Sequence, residues 1–238
     1  MIQHSLILFV LKKLEDEMIF ESRVMSLPFC FTNLNMAAIT WEERNGFAPP
    51  ATCPFTDPDV AHQMVLWHHR ELGVKWSIDG WMQDRSRLWR GTYLEKNRLF
   101  LHLGVDCNVE AGVVVNAIAD GTVVYVGDDT PLVGGWGGHI VQKIQFRGQP
   151  HALIYAHLGD TFVSRDEKVC RGQRIGLTGN KTRNGFWRPH LHLQLVKGVD
   201  YVRAWHTFMS EEIDGYGKLD RLRYWAHRCP DPTPLIFA

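Results

Sequence analysis

The sequence predicts a mainly β protein, an antiparallel sandwich or barrel-like domain behind a mixed, partly helical N-terminal segment. Three observations carry this. Short runs at 99–106, 113–118, 122–127, 139–146, 151–157, 173–177 and 190–196 are separated by glycines, and several alternate with period two. Asp120-Gly121 stands between two of them, Val113 to Ile118 and Thr122 to Val126, and reads as a hairpin turn. Before residue 90 the apolar spacing is helical instead.

Taken in order, residues 1–24 read as one helix ending before Pro28, and 25–56 as mixed structure interrupted by Pro49, Pro50 and Pro54. Asp57-Pro58-Asp59 starts a helix, because proline fits the first turn and acids favour the positive end of its dipole. Val60, Met64, Trp67 and Leu72 form its expected apolar stripe, and Gly73 its stop. His68 and His69 diverge by about 100° on such a helix and are expected to be structural. Asp79-Gly80 reads as a turn, and Arg85, Arg87 and Arg90 as a solvated basic cluster. The chain thus divides into a partly helical extension (1–90), a β domain (91–200) and a C-terminal extension (201–238) with a proline-stiffened, extended finish.

With 238 residues, 45% hydrophobic and 22% charged, the chain suits one large domain or one domain plus an extension. Lys+Arg and Asp+Glu are both 26, so no global field points to nucleic acid or an anionic membrane. Cys30, Cys53, Cys107, Cys170 and Cys229 are odd in number with no C-x-x-C pair, which favours free thiols in a reducing compartment. The apolar run from Ser5 to Leu11 lacks a basic flank before it and is too short to span a bilayer; it is expected to be amphipathic helix rather than a signal peptide.

The chemistry concentrates in two strands. In Arg188-Pro189-His190-Leu191-His192-Leu193-Gln194-Leu195, the residues His190, His192 and Gln194 share one face and the leucines the other. Two imidazoles fixed side by side suit a metal site, or a metal ligand beside a general base. From Leu99 to Asp106 the same alternation puts His102, Gly104 and Asp106 on one face, the glycine sparing room for an ion. One carboxylate and imidazoles from two strands make three protein ligands with a fourth position open, the catalytic rather than structural zinc pattern.

These residues resemble the lysostaphin-type (LytM) zinc endopeptidases. The family's H-x-x-x-D appears as His102-Leu103-Gly104-Val105-Asp106, and its A-D-G-x-V hairpin as Ala119-Asp120-Gly121-Thr122-Val123. Tyr155-Ala156-His157-Leu158, then Val169 to Gly176, then Pro189-His190-Leu191-His192 follow in the expected order, so the likeness covers about residues 99–197. The resemblance implies two antiparallel sheets of the duplicated hybrid-barrel kind, with a groove floored by the larger. It implies zinc held by His102, Asp106 and His192, with His157 and His190 as catalytic histidines, and a substrate in peptidoglycan cross-links or wall-derived peptides.

A zinc site of that kind activates a water, and one imidazole takes its proton and passes it to the leaving amine while the other stabilises the carbonyl oxygen. The sequence leaves open which of His157 and His190 does which. Trp187 and Arg188 are expected to line the groove, and Trp136, within a glycine-rich run, to grip substrate or to cap the core. Two alternatives stand beside the peptidase: a catalytically inactive binding or activator module, and a hybrid-barrel phosphotransfer or carrier protein, against which the carboxylate at H-x-x-x-D spacing speaks. For location, the cysteines and the N-terminus favour the cytoplasm, whereas the resemblance favours the periplasm or the exterior.

Overall fold

The alternating strands assemble into one large sheet whose two faces are both covered. The structure, a computed structural model, describes residues 18–45, 54–130, 132–198 and 215–238. The strands are β1 (Phe29–Thr32), β2 (Trp76–Asp79), β3 (Leu99–His102), β4 (Val105–Asn108), β5 (Val114–Asn116), β6 (Gly121–Asp128), β7 (Gly138–Phe146), β8 (Gln149–Thr161), β9 (Lys168–Val169), β10 (Arg174–Thr178), β11 (Leu191–Lys197) and β12 (Tyr216–Lys218). The helices are α1 (Ser22–Met25), α2 (Leu34–Arg44), α3 (Pro58–Leu72), α4 (Tyr93–Lys96), α5 (Leu222–Arg228) and α6 (Thr233–Ile236).

The main path of the ten-stranded sheet runs β1-β2-β4-β11-β8-β7-β6-β9, with β10 pairing β8 and β5, while β3 and β12 form a separate two-stranded sheet. The pairing is antiparallel except between β1 and β2, so the sheet is mixed where the sequence suggested antiparallel pairing throughout. Leu191, Leu193 and Leu195 of β11 point into one core with Val105, Leu153 and Tyr155. Ile154, Ala156 and Val196 face a second cluster with Leu101, Leu103, Trp136 and Trp225. This burial drives the strand order, because each alternate residue on the central strands leaves water.

Several elements depart from the sequence reading. Residues 1–17 of the expected N-terminal helix, with Ser5 to Leu11, lie outside the described residues; Phe20 bridges to Val115, so the chain is extended there before α1 begins. β5 and β6 do not form a hairpin across Asp120-Gly121. The backbone groups there are already taken: Asn116 N–H donates to Ile19 O at 2.8 Å, Ala117 N–H to Gln173 O at 2.9 Å and Gly172 N–H to Ala117 O at 2.8 Å, while β5 pairs with β10. Asp120 Oδ1 instead accepts from Arg171 N–H at 2.8 Å, and Gly121 passes so close to β7 that an added Cβ would lie 2.3 Å from Lys143 O.

Helix α3 starts and stops where expected: Asp57 caps the first turn, with Asp59 N–H 2.8 Å from its Oδ1, and Gly73 ends it in the left-handed conformation. Its buried face is Ala61, Met64, Val65 and His69, however, and Leu72 is 50% exposed. His69 is structural as expected, sharing a 2.8 Å hydrogen bond with Ser77 Oγ. α2, α3 and Phe55 pack with Leu88, Trp89, Leu94 and Leu99 into a third cluster. The tail folds back as α5 and α6 instead of running extended, with Trp225 and Ile236 buried.

Candidate metal centre

Register places the first two metal-type side chains. His192 of β11 stands opposite Asp106 of β4, and both project from the face away from the leucines. The single long strand expected over 99–106 is broken: β3 ends at His102 and joins the small sheet, and Leu103 N–H donates to Gly215 O at 2.9 Å. That break swings His102 back over β4. Its Nε2 lies 3.3 Å from Asp106 Oδ1 and 3.1 Å from His192 Nδ1, while His192 Nδ1 is 2.9 Å from Asp106 Oδ1. Gly104 makes this possible, since a Cβ there would sit 2.2 Å from Leu193 O and 2.8 Å from His192 Cε1. The space it spares is taken by the His192 ring and the neighbouring strand.

One ligand atom from each of His102, Asp106 and His192 lies within 4.8 Å of the others, and all three residues are buried. Burial, opposed by Asp106, pushes the His102 pKa down to about 4, so its imidazole is neutral. Burial works against the Asp106 charge, but His102 and His190 outweigh it and hold the carboxyl well below its ordinary range. Two imidazoles and one carboxylate are the donor set of an open zinc site. The outward atoms are held as well. His102 Nδ1 is 3.2 Å from Gly80 O, and His192 Nε2 is 3.1 Å from Gln194 Oε1, contacts that fix ring orientation.

Two more imidazoles stand beside this set. His157, at the end of the β8 pairing with β11, has a left-handed φ of 67°, and its Nδ1 is 2.9 Å from Asn184 O. His190 Nδ1 is 2.7 Å from Arg188 O. Each ring therefore donates Nδ1–H to a carbonyl and keeps an Nε2 lone pair. Burial brings His157 down to about 3 and, reinforced by Arg188, holds His190 well below the usual imidazole value. Asn184, fully buried, ties the approach to β11: its Oδ1 accepts from Trp187 N–H at 2.9 Å and its Nδ2 donates to Arg188 O at 3.1 Å.

A cleft opens onto Asp106, His157, His190 and His192, and Trp136, Trp187 and Arg188 all line it. Trp136 is almost wholly buried, its ring 5.4 Å from His192, and belongs to the core as well as to the wall. Trp187 Nε1–H donates to Gly135 O at 2.8 Å with its ring 6.0 Å from His157. Arg188 is buried, 3.5 Å from Asp106 Oδ2. The opposite wall comes from the N-terminal segment, through Leu34, Phe55 and Met64.

Arg85 departs furthest from the sequence reading. Instead of lying on the solvated surface, it is 1% exposed, 2.6 Å from Asp79 Oδ2 and 3.2 Å from Asp106 Oδ2. Arg87 and Arg90 also pair inward, both with the buried Glu42 of α2. The charge spacing along residues 85–90 gave no sign of this, because Asp79, Asp106 and Glu42 reach them only through tertiary folding.

Residues 100–204 match the sequence profile of Peptidase family M23. Over 99 residues the chain is 35% identical to the peptidoglycan DD-endopeptidase ShyA of Vibrio cholerae, a match covering 42% of this chain and 21% of that protein. An uncharacterized metalloprotease of Haemophilus influenzae is 35% identical over 97 residues, covering 41% of this chain and 19% of the other. The chain thus spans about a fifth of the length of these curated relatives. Among solved structures, the catalytic domain of the antimicrobial peptidase lysostaphin from Staphylococcus simulans is 25% identical, with a TM-score of 0.40 over 58% of this chain and 81% of that one.

Proposed function

We propose, from the match of residues 100–204 to Peptidase family M23, a zinc-dependent endopeptidase acting on peptidoglycan cross-links or wall-derived peptides. The observation that carries the reading is the convergence of His102 Nε2, Asp106 Oδ1 and His192 Nδ1 beside two neutral imidazoles at one cleft. Likeness to the Vibrio cholerae endopeptidase supports the substrate class. Residues 91–200 act as the peptidase unit in this reading, flanked by 1–90 and 201–238.

A zinc ion held by His102, Asp106 and His192 would supply Lewis acidity, lowering the pKa of bound water towards about 7 and polarising a carbonyl. His157 and His190 do the proton work. With Nδ1 committed to Asn184 O and Arg188 O, each presents its Nε2 lone pair. One accepts the proton of the attacking water at Nε2 and delivers it to the leaving amine, while the second ring borders the carbonyl oxygen. Trp187 and Arg188 orient the peptide along the wall beside them. All five positions are filled, which favours catalysis over an inactive binding module.

The test is zinc content of the purified protein, compared with Asp106→Ala and His192→Ala, followed by digestion of cross-linked muropeptides. About one zinc per chain, lost in both variants, with cleavage that His190→Ala abolishes, is the expected result. A zinc-loaded wild type that leaves muropeptides and other peptides intact would overturn the hydrolytic reading.

A further inference from the structure

The matched family segment begins at residue 100, yet the metal centre does not close within it. Arg85 lies fifteen positions earlier and is as buried as any ligand. Its guanidinium touches the centre only from behind: it meets Asp106 at Oδ2 (3.2 Å) and His102 on the Nδ1 side (3.1 Å), whereas the metal-facing atoms are Oδ1 and Nε2. With the ligating lone pair on Nε2, His102 Nδ1 carries the proton and donates it to Gly80 O. Arg85 Nη2–H then donates to Asp106 Oδ2. Asp79 Oδ2 holds the same nitrogen as an ion pair at 2.6 Å, and Asp79 is itself fixed by Leu34 N–H, 3.2 Å from its Oδ1, at the start of α2. In the β2–β4 pairing Asp79 stands directly opposite Asp106, so Arg85 spans two carboxylates that backbone register holds side by side.

We propose that Arg85 is a positioning residue of the metal centre, braced by Asp79, which engages Asp106 Oδ2 so that Oδ1 alone is offered to the metal. The centre is thereby assembled jointly by the M23 segment and the segment before it. This rests on the zinc reading above and adds to it a residue which the family match does not reach. A carboxylate with one oxygen in a charge-assisted bond to a fixed arginine has a set orientation, and it is discouraged from turning to bind a metal through both oxygens. All these contacts are made by one nitrogen, Nη2, so lysine, which keeps the charge but not the planar head that places this nitrogen, is expected to reproduce them only in part.

The test measures zinc affinity by competition with a chromophoric chelator, and the visible spectrum of the cobalt(II)-substituted protein, for wild type, Arg85→Ala, Arg85→Lys and Asp79→Asn. Weakening of zinc binding by about 10- to 100-fold is expected for Arg85→Ala, with partial recovery in Arg85→Lys. The cobalt bands should weaken in Arg85→Ala as the carboxylate turns to bind through both oxygens and coordination rises. Should Arg85→Ala fail to fold, Asp79→Asn, which keeps the volume but loses the brace, decides: weaker zinc binding and altered cobalt bands support the proposal. Zinc affinity within twofold of wild type and an unchanged cobalt spectrum in the folded variants overturn it. A wild type that binds no zinc would instead remove the underlying metal reading.

Discussion

The rings of His157 and His190 lie with centroids 4.4 Å apart, each anchored through Nδ1 to a carbonyl of the segment leading into β11. Neither hydrogen-bonds a ligand atom, His190 Nε2 standing 3.8 Å from Asp106 Oδ1, so their loss should separate chemistry from metal binding. His157→Ala and His190→Ala are each expected to lower kcat by about 10²- to 10⁴-fold while retaining zinc. Loss of the metal in either variant would show that the residue serves as a ligand.

Gly104 and Gly112 make a matched pair. An alanine Cβ at 104 would stand 2.2 Å from Leu193 O, which is backbone and cannot turn aside, whereas at 112, with φ +80°, nothing lies within 4 Å. Gly112→Ala should cost only the left-handed strain, about 1–2 kcal/mol. Gly104→Ala should cost more than about 3 kcal/mol and abolish zinc binding, because the collision pushes β4 and β11 apart at Asp106 and His192. Urea denaturation and zinc titration of both variants check this; equal effects would contradict it.

Acid should destabilise the metal-free protein. Burial lowers His69 and His102 to about 4 and His157 to about 3. The unfolded chain therefore takes up protons near pH 6.5 that the folded chain refuses until much lower pH, and stability falls as pH drops from about 6.5 towards 4. Asp79, raised by burial to about 6, acts in the opposite direction but is one group against three. Thermal melts in chelator should show a lower Tm at pH 5 than at pH 7. A Tm that rises on acidification would contradict the burial of these imidazoles.

Glu42 is 1% exposed and faces both Arg87 and Arg90. Replacing it with alanine strands two guanidiniums against an apolar cluster. Because both arginines retain partial contact with water, the expected loss is modest, about 1–2 kcal/mol. The measurable sign is a lower urea midpoint with normal zinc content, since Leu34 N–H still reaches Asp79. Loss of zinc in Glu42→Ala would mean that docking of α2 and the metal centre are one cooperative unit.

The sequence exposed what local spacing can carry. Alternation put His190 and His192 on one face of β11, and His102, Asp106 and His157 were recognisable because each sits in a short motif. Asp57 and Gly73 were legible as helix ends because capping is a local transaction between neighbours. Arg85, Asp79 and Asn184 were not, since each acts on a partner distant in the chain: Arg85 on Asp106, Asp79 on Leu34, Asn184 on His157. Asp120-Gly121 misled for a related reason. A two-residue signal reports that the chain turns; which strands pair afterwards depends on competition for backbone groups, and β10 and β7 won it.

The pairing of β2 with β4 bears on how this protein can be handled in pieces. A fragment trimmed to residues 91–200 would keep every histidine of the centre, yet strip the neighbour from the strand that carries Asp106. Its N–H and C=O groups would then face water as an open margin, ready to recruit another copy of the same strand. Such a fragment is expected to be adhesive, and any low activity measured on it would report self-association at the metal strand as much as chemistry.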